Sequence, residues 1–163
     1  MCALSGGAKT GPSPVDRGRR GSKHHLITCG QGNPLAVALT AGNVNDVTQT
    51  LPLVDGIPPV RGKRGQPRRR PKRLLGDRAY HSAKHRRALR ARSITARIAK
   101  PKSPHGSGLG RERWVVERTL SWLHQYRRLR VRYERRDDIH EAFLAIGCSL
   151  ICFKALTRAN ALC

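Results

Sequence analysis

The stretch RERWVVERTLSWLHQYRRLRVRYERR, residues 111–136, decides the fold prediction because it is a long segment with a helical hydrophobic period. On a helical wheel its apolar residues share one broad arc, which holds Val115, Val116, Leu120, Trp122, Leu123, Tyr126 and Leu129. The opposite stripe carries one carboxylate, Glu117, among basic and polar residues. The pattern predicts an amphipathic helix that packs on a core and presents Glu117 on its polar face.

Glu117 has two interpretations. An acid on a core-backed helix, with Arg113 one turn before it and His124 two turns after it, could bind a cation beside a polyanion. Glu117 also lies four residues after Arg113, so a solvated intrahelical ion pair explains it equally well. The residues alone leave both interpretations open.

The charge balance predicts a polyanionic partner. The 163 residues, a length that suits one domain, include 33 Lys+Arg against 10 Asp+Glu, a net charge of +23. Basic residues occur in almost every segment, which favours nucleic acid over a membrane surface. Residues 61–73 hold eight basic residues in thirteen and predict a flexible cationic loop, either simply solvated or in contact with phosphates.

The sequence also predicts a cytoplasmic protein without a membrane segment. The N-terminal residues lack an apolar core of signal-peptide length, and the longest apolar run, residues 142–153, is too short to span a bilayer. Five cysteines without a CxxC pair indicate neither a disulfide framework nor a zinc site.

Hydrophobic periods and turn residues predict a mixed α/β sheet with helices packed on it. Residues 1–22 read as a loop or disordered basic tail, and residues 158–163 as a C-terminal tail. The predicted elements are a hairpin of residues 23–29 and 34–40, a short helix through Leu53, a strand at 73–77, a helix at 80–92, a strand at 94–100, the Glu117 helix, and a last helix from Asp138 to about Ala155. Ala142, Phe143, Ile146, Leu150 and Phe153 form the predicted core face of the last helix.

Asp77 ends the predicted strand at residues 73–77. A carboxylate at the C-terminal end of a strand in an α/β sheet lies where such folds place their ligands. Asp is also a favoured helix cap, so a purely structural role explains the residue as well.

Three segments together resemble the bacterial insertion-sequence transposases of the IS4/IS5 type: GNVNDVTQ at 42–49, LLGDRAYHS at 74–82, and HGSGLGRERWVVERTLSWLHQYRRLR at 105–130. The resemblance covers the chain from about Gly6 to about Leu156. It implies an RNase H-like fold and a DDE triad, three carboxylates that hold two Mg²⁺ (or Mn²⁺) ions for cleavage and transfer of DNA strands. It also implies DNA, as element ends and target, as the partner.

The resemblance assigns two catalytic and metal-binding residues. Asp77, followed by Ala79 and Tyr80, matches the second acid, and Glu117, with Arg113 one turn before it, matches the third. The chain departs from the fuller signature, which has Tyr seven residues before the Glu and Lys seven after it, because it has Gly110 and His124 there.

The first acid of the triad is not matched. In the family it lies on the opening central strand of the sheet, upstream of the segment that begins near Gly6, and neither Asp16 nor Asp46 is in its position. We therefore expect residues 23–157 to form a truncated DDE domain that lacks the opening strand and is inactive in isolation. A decayed gene, a misassigned start codon, or an upstream-frame product that supplies the first Asp would each explain this.

The predicted phosphate contacts are Lys23, His24, His25, Arg113, His124, Arg127 and Arg128, although each could be a simple surface residue. A homo-oligomer is a further possibility. Two alternative functions stay open: a basic DNA-binding protein without chemistry, and an RNase H-like nuclease.

Overall fold

The computed structural model describes residues 2–3, 6–14, 17–61, 65–99 and 110–160, and for residues 2–3, 110–113 and 160 it describes the backbone alone. The chain divides into two compact units, the first made of residues 1–44 and 115–163 and the second of residues 45–114. Both units contain strands and helices, which confirms the predicted mixed α/β class.

A β-hairpin organises the sheet of the first unit. Strands β3 (Arg20–Thr28) and β4 (Pro34–Ala41) pair antiparallel, with Ser22 opposite Ala41 at one end and Thr28 opposite Pro34 at the other. In the turn between them Gly32 has a φ of +89°, a left-handed conformation that glycine adopts without steric cost. The hairpin prediction is confirmed: β3 begins three residues before its predicted start and ends one residue early, and β4 ends one residue later than predicted.

Three two-residue strands complete this sheet: β1 (Cys2–Ala3), β2 (Gly11–Pro12) and β7 (Val131–Arg132). β1 and β2 each pair antiparallel with β3, and β1 also pairs parallel with β7. The sequence predicted only a loop or tail over residues 1–22, because a two-residue strand is too short to show alternation.

The second unit contains a parallel strand pair. β5 (Arg73–Gly76) pairs with β6 (Thr95–Ile98), from Arg73 opposite Thr95 to Gly76 opposite Ile98. The helical segments are a 3₁₀ helix at Asp46–Gln49, α1 (Thr50–Asp55), a 3₁₀ helix at Arg78–Tyr80 and α2 (Ala83–Ala91). All the predicted elements of this region are present. α2 begins later than predicted because the Ser82 hydroxyl caps it by accepting the N–H of His85 at 3.4 Å.

The predicted cationic loop is exposed over its described residues except at Pro71, which is partly buried. Residues 65–70 are all exposed, and residues 62–64 lie outside the described part of the chain. Val60 and Arg68 exchange two backbone hydrogen bonds of 2.8 Å, so the base of the loop is closed by an isolated β-bridge.

The Glu117 helix is shorter than its hydrophobic period suggests. α3 runs over Gly110–His124, and a separate short helix, α4 (Arg127–Arg130), follows. Tyr126 between them has extended backbone angles, φ −76° and ψ 118°, which interrupt the helix. The prediction of one continuous helix was wrong here: Leu129 still reaches the core, but from α4, so the apolar period continues across a break in the backbone.

The last helix, α5 (Asp137–Asn160), packs on β4 and α4, and it also contacts Leu123 of α3. The core cluster of the first unit comprises Leu123, Leu129, Leu144, Cys148 and Ile151. Gly147 lies where α5 closely approaches this cluster, since a Cβ built on it would be 2.8 Å from Leu129 Cδ1 and 3.0 Å from Leu123 Cδ2. A residue without a side chain lets α5 come this near to its neighbours.

The face of α5 predicted to be buried is largely exposed. Ile146, Leu150 and Phe153 are 55%, 40% and 63% exposed, while Leu144, Cys148 and Ile151 face the core. The prediction was wrong because α5 is apolar around most of its circumference, so a periodic pattern cannot select one face.

By length and composition alone, residues 137–159 of α5 are long and apolar enough to cross a membrane. The uninterrupted apolar run inside this helix, residues 142–153, is too short to do so. One such helix is weak evidence, because a core helix of a water-soluble domain passes the same test. It does not indicate a membrane protein.

Candidate functional site

Asp77 directly follows β5, at the C-terminal end of a parallel strand. Its Oδ1 accepts the backbone N–H of Ala79 at 3.0 Å, so the carboxylate caps the 3₁₀ helix that follows. Both interpretations of this residue therefore hold together: the carboxylate has the predicted position at the strand end, and it is also a helix cap. The cap fixes the direction of the side chain.

A second carboxylate, that of Asp46, lies near Tyr80 together with Asp77. Burial, together with the negative charges of Asp46 and Asp77, raises the pKa of the Tyr80 hydroxyl to about 12. Both carboxylates act electrostatically on the same phenol, so Asp46 is a neighbour of this region in the second unit. The sequence prediction gave Asp46 no role, because the residue is 31 positions away from Asp77 and on a different element.

Glu117 is an exposed residue of α3 in the first unit. The two residues after it anchor the helix to the hairpin turn. Arg118 donates from Nη2 to the carbonyl oxygen of Gln31 at 2.7 Å, and the fully buried Thr119 hydroxyl lies 2.8 Å from the carbonyl oxygen of Gly32. These contacts fix the rotation of α3 on the sheet and thereby the direction in which Glu117 projects. The side chain of Arg113, and with it the predicted Arg113–Glu117 pair, lies outside the described residues.

His24 lies in a cluster of histidines and is not a free surface cation. Its Nε2 is 3.0 Å from Nε2 of His140, the two rings stack at 5.3 Å between centroids, and the His124 ring is 6.0 Å away. Burial and the neighbouring imidazoles lower the pKa of His24 to about 3. Partial burial also lowers the pKa values of His124 and His140. The lowered pKa values favour neutral imidazoles near pH 7, so a phosphate contact by His24 or His124 stays a prediction and would carry charge only after protonation.

His140 is oriented by a carboxylate. Its Nδ1 lies 3.3 Å from Oε2 of Glu134, and the other oxygen of Glu134 pairs with the guanidinium of Arg128. Sequence reasoning missed this chain of contacts because His24 and His140 are 116 positions apart.

The remaining predicted phosphate contacts differ in accessibility. His25 is only 2% exposed and hydrogen bonds to the Thr40 hydroxyl at 2.7 Å, so it is a core residue and not a surface contact. Lys23 is half-buried and donates to the carbonyl oxygen of Val44 at 2.9 Å. Arg127 and Arg128 are exposed on α4, where they lie over the rings of Tyr133 and Phe143 respectively. Among the described residues of this prediction, His124 at the end of α3 and the two arginines of α4 are the exposed ones.

Carboxylate oxygens such as those of Asp77 and Glu117 are the donors that Mg²⁺ and Mn²⁺ prefer. Among the described residues there is no group of three or more His, Cys, Asp or Glu side chains that could hold a metal ion. Asp77 and Glu117 belong to different units, and Asp16 lies outside the described residues. The donor chemistry fits a divalent cation, but the described residues do not complete a site.

Comparison with known proteins decides the family. A model of the transposase DDE domain matches residues 5–152, which is most of the chain. The chain belongs to the transposase DDE domain family. Both Asp77 and Glu117 lie within the matched residues, and the predicted resemblance to insertion-sequence transposases is confirmed.

This chain is also similar to a curated bacterial protein, the "Putative transposase for insertion sequence element IS402" of Burkholderia cepacia. The two are 61% identical over 155 residues, which is 95% of this chain and 74% of the relative. No solved structure matches the chain.

Proposed function

We propose that this chain forms the part of an insertion-sequence transposase that carries Asp77 and Glu117, two of three carboxylates used for metal-dependent cleavage and transfer of DNA strands. The observation that carries the proposal is the family match, which spans both residues. Two local features support it: Asp77 follows a parallel strand and is held by a cap, and Glu117 projects from a helix anchored on a hairpin.

The proposed fold is RNase H-like. Two features support this proposal. In the first unit, β1 pairs antiparallel with β3 of the hairpin and parallel with β7. In the second unit, β5 and β6 form a parallel pair, and Asp77 directly follows β5. A divalent cation held by Asp77, Glu117 and a third acid would stabilise the attacking and leaving oxygens of a phosphodiester. The protein's own part is to hold the carboxylates and to position the DNA.

DNA is the proposed partner, and the cytoplasm the proposed location. The net charge of +23 provides sequence-independent attraction to phosphates, which weakens as salt rises. Arg127 and Arg128 on α4 are the proposed phosphate contacts in the first unit. The predicted homo-oligomer and the upstream-frame product stay predictions.

We further propose that the third carboxylate is supplied by sequence upstream of Gly6 and that this polypeptide alone does not cut DNA. The test is cleavage, with Mg²⁺ or Mn²⁺, of labelled ends of the element that carries the coding sequence. One arm uses this chain, and the other uses a polypeptide extended upstream through one more strand. Cleavage by the extended polypeptide alone is the expected result. If this chain also cuts, the third acid lies within it, and Asp16 and Asp46 become the first residues to replace.

Substitutions in the extended polypeptide test the two assigned carboxylates. Asp77→Asn and Glu117→Gln should each abolish cleavage while DNA affinity, measured by fluorescence anisotropy over a range of salt, stays within about twofold. Asp55→Asn and Asp138→Asn are matched controls, since these exposed acids pair with Arg92 and Arg136 and should leave cleavage intact. DNA binding by an extended polypeptide that never cleaves would favour the alternative of a basic DNA-binding protein.

A further inference from the structure

A cleft of about 540 Å³ opens in the first unit between the hairpin turn, α3 and α5. This volume lies within the range of small-molecule sites in proteins. Apolar side chains of α5 form part of the wall. The polar and aromatic residues that line it are Gln31, Asn33, Arg118, Trp122, Lys154 and Arg158.

The charged side chains that line the cleft are all positive. Arg118, Lys154 and Arg158 supply three cations, and none of the described residues that line the cleft is acidic. A concave surface of this kind concentrates positive potential and favours an anion. The cleft is, however, larger and more apolar than a site for a simple inorganic anion would need to be.

An aromatic platform lies among these cations. The guanidinium carbon of Arg118 is 4.7 Å from the centroid of a Trp122 ring, and the same guanidinium donates to the carbonyl oxygen of Gln31. Arg118 and Trp122 are one helical turn apart and share a face of α3, whereas Glu117 is rotated by roughly 100° from Arg118. The hairpin turn thus holds the Arg118–Trp122 pair in place at the wall of the cleft.

We propose that this cleft binds one unpaired nucleotide of a DNA strand. The base lies against the Arg118–Trp122 pair, Lys154 and Arg158 hold the phosphates, and the amide groups of Gln31 and Asn33 hydrogen bond to the base edge. A planar aromatic platform between cations suits a nucleotide better than an acidic peptide, which would use the cations but not the platform. Only an unstacked base can offer its face to an indole, so the ligand is single-stranded and not duplex DNA.

The choice of DNA as the polymer rests on the proposed function, but the site itself does not depend on cleavage. The chain has two tryptophans. Trp114→Phe therefore leaves Trp122 as the sole indole, which makes its emission a direct probe of the cleft. The titration uses short 5′-phosphorylated oligo(dT) with EDTA present, and anisotropy of a labelled copy measures total binding separately.

Saturable quenching of Trp122 emission by the oligonucleotide is the expected result. Replacing both cations of α5, Lys154→Gln with Arg158→Gln, should weaken binding at least tenfold. Lys84→Gln with Arg87→Gln removes the same charge from exposed positions of α2 and should change it less than threefold. Because Trp122 also packs against the core, Trp122→Leu could affect folding, so the cation pair provides the second, independent variant.

Two controls identify the ligand. An abasic oligonucleotide of equal length and charge should bind at least tenfold more weakly, since stacking on an aromatic side chain contributes about 1–3 kcal/mol per base. Equal affinity for the abasic strand or for polyglutamate, or binding of oligo(dT) without any change in Trp122 emission, would overturn the proposal. Quenching in this chain, together with an extended polypeptide that never cleaves, would support the nucleotide site and count against the proposed catalysis. Cleavage by the extended polypeptide without quenching would do the reverse.

Discussion

The Thr119 hydroxyl lies 2.8 Å from the carbonyl oxygen of Gly32, and this contact joins the helix that carries Glu117 to the turn of the hairpin. Both groups are buried. Thr119 follows Glu117 by two residues, so a change in this contact would alter the rotation of α3 and the direction of the carboxylate. The hairpin turn is therefore part of the support of the proposed catalytic helix.

Thr119→Val should destabilise the protein. Valine keeps the shape of threonine but removes the donor to Gly32, and a buried hydrogen-bonding group left unsatisfied costs about 1–3 kcal/mol. The midpoint of urea unfolding measures the effect. Thr119→Ser keeps the hydroxyl and is the matched control, so equal loss of stability in both variants would show that methyl packing, and not the hydrogen bond, matters here.

How much of this site the sequence could predict depends on the range of the interactions involved. The β3–β4 hairpin and the β5–α2–β6 segment follow local rules of alternation, turn residues and caps, so their existence and their order were predicted correctly. The break between α3 and α4 was missed because Leu129 keeps the apolar period after the backbone has left the helix. The exposed face of α5 was missed because most of that helix is apolar.

The predicted functional residues divide in the same way. The position of Asp77 at a strand end is local, and the sequence placed it correctly. The neutral state of His24 depends on His140, which is 116 positions away, and no local pattern reveals it. His25 is buried and hydrogen bonds to the Thr40 hydroxyl on the neighbouring strand, 15 positions away, which no local pattern reveals. The joint use of Asp77 and Glu117, which lie in different units, stays a prediction.

The histidine cluster should make the stability of the protein depend on pH. An unfolded histidine has a pKa near 6.5, whereas that of His24 in the fold is about 3. The unfolded chain therefore binds a proton below pH 6.5 that the folded chain does not bind until near pH 3. The free energy of unfolding should fall by roughly 1.4 kcal/mol for each pH unit between these values.

Urea unfolding at several pH values between 7 and 4 measures this slope, and His24→Gln should reduce it. The lowered pKa values of His124 and His140 act in the same direction, so part of the slope should remain in the variant. Identical slopes for the variant and the parent protein would mean that His24 is solvated and protonates normally.

Gly147→Ala should destabilise the protein although alanine favours helices. In a helix interior this change normally gains about 1 kcal/mol. Here the added Cβ would lie 2.8 Å from Leu129 Cδ1, and overpacking of a core typically costs about 1–3 kcal/mol. Thermal unfolding measures the net effect, with Ser149→Ala at an exposed position of α5 as the control. A gain in melting temperature for Gly147→Ala would show that α5 can move away from α4 without cost.

Arg132→Lys should be among the most damaging conservative substitutions in the chain. Arg132 is fully buried, and its guanidinium donates to the Ser22 hydroxyl at 2.8 Å and to the carbonyl oxygens of Glu134 at 2.8 Å and Arg135 at 3.1 Å. Three different nitrogens of the planar guanidinium donate to these acceptors, a geometry that an ammonium group cannot reproduce. A charged donor contributes about 1.5–3 kcal/mol per hydrogen bond, so losing even one of them should be measurable.

The measurement for Arg132 is the urea midpoint of the Arg132→Lys variant beside that of Arg130→Lys. Arg130 is exposed two positions earlier, and the same chemical change there should stay within about 0.5 kcal/mol. A loss of roughly 2 kcal/mol or more at position 132 alone would establish that the guanidinium joins β7 to β3 and to the segment that leads into α5. Equal stability of the two variants would mean that a lysine can satisfy these acceptors, and that the geometry of the guanidinium is unimportant.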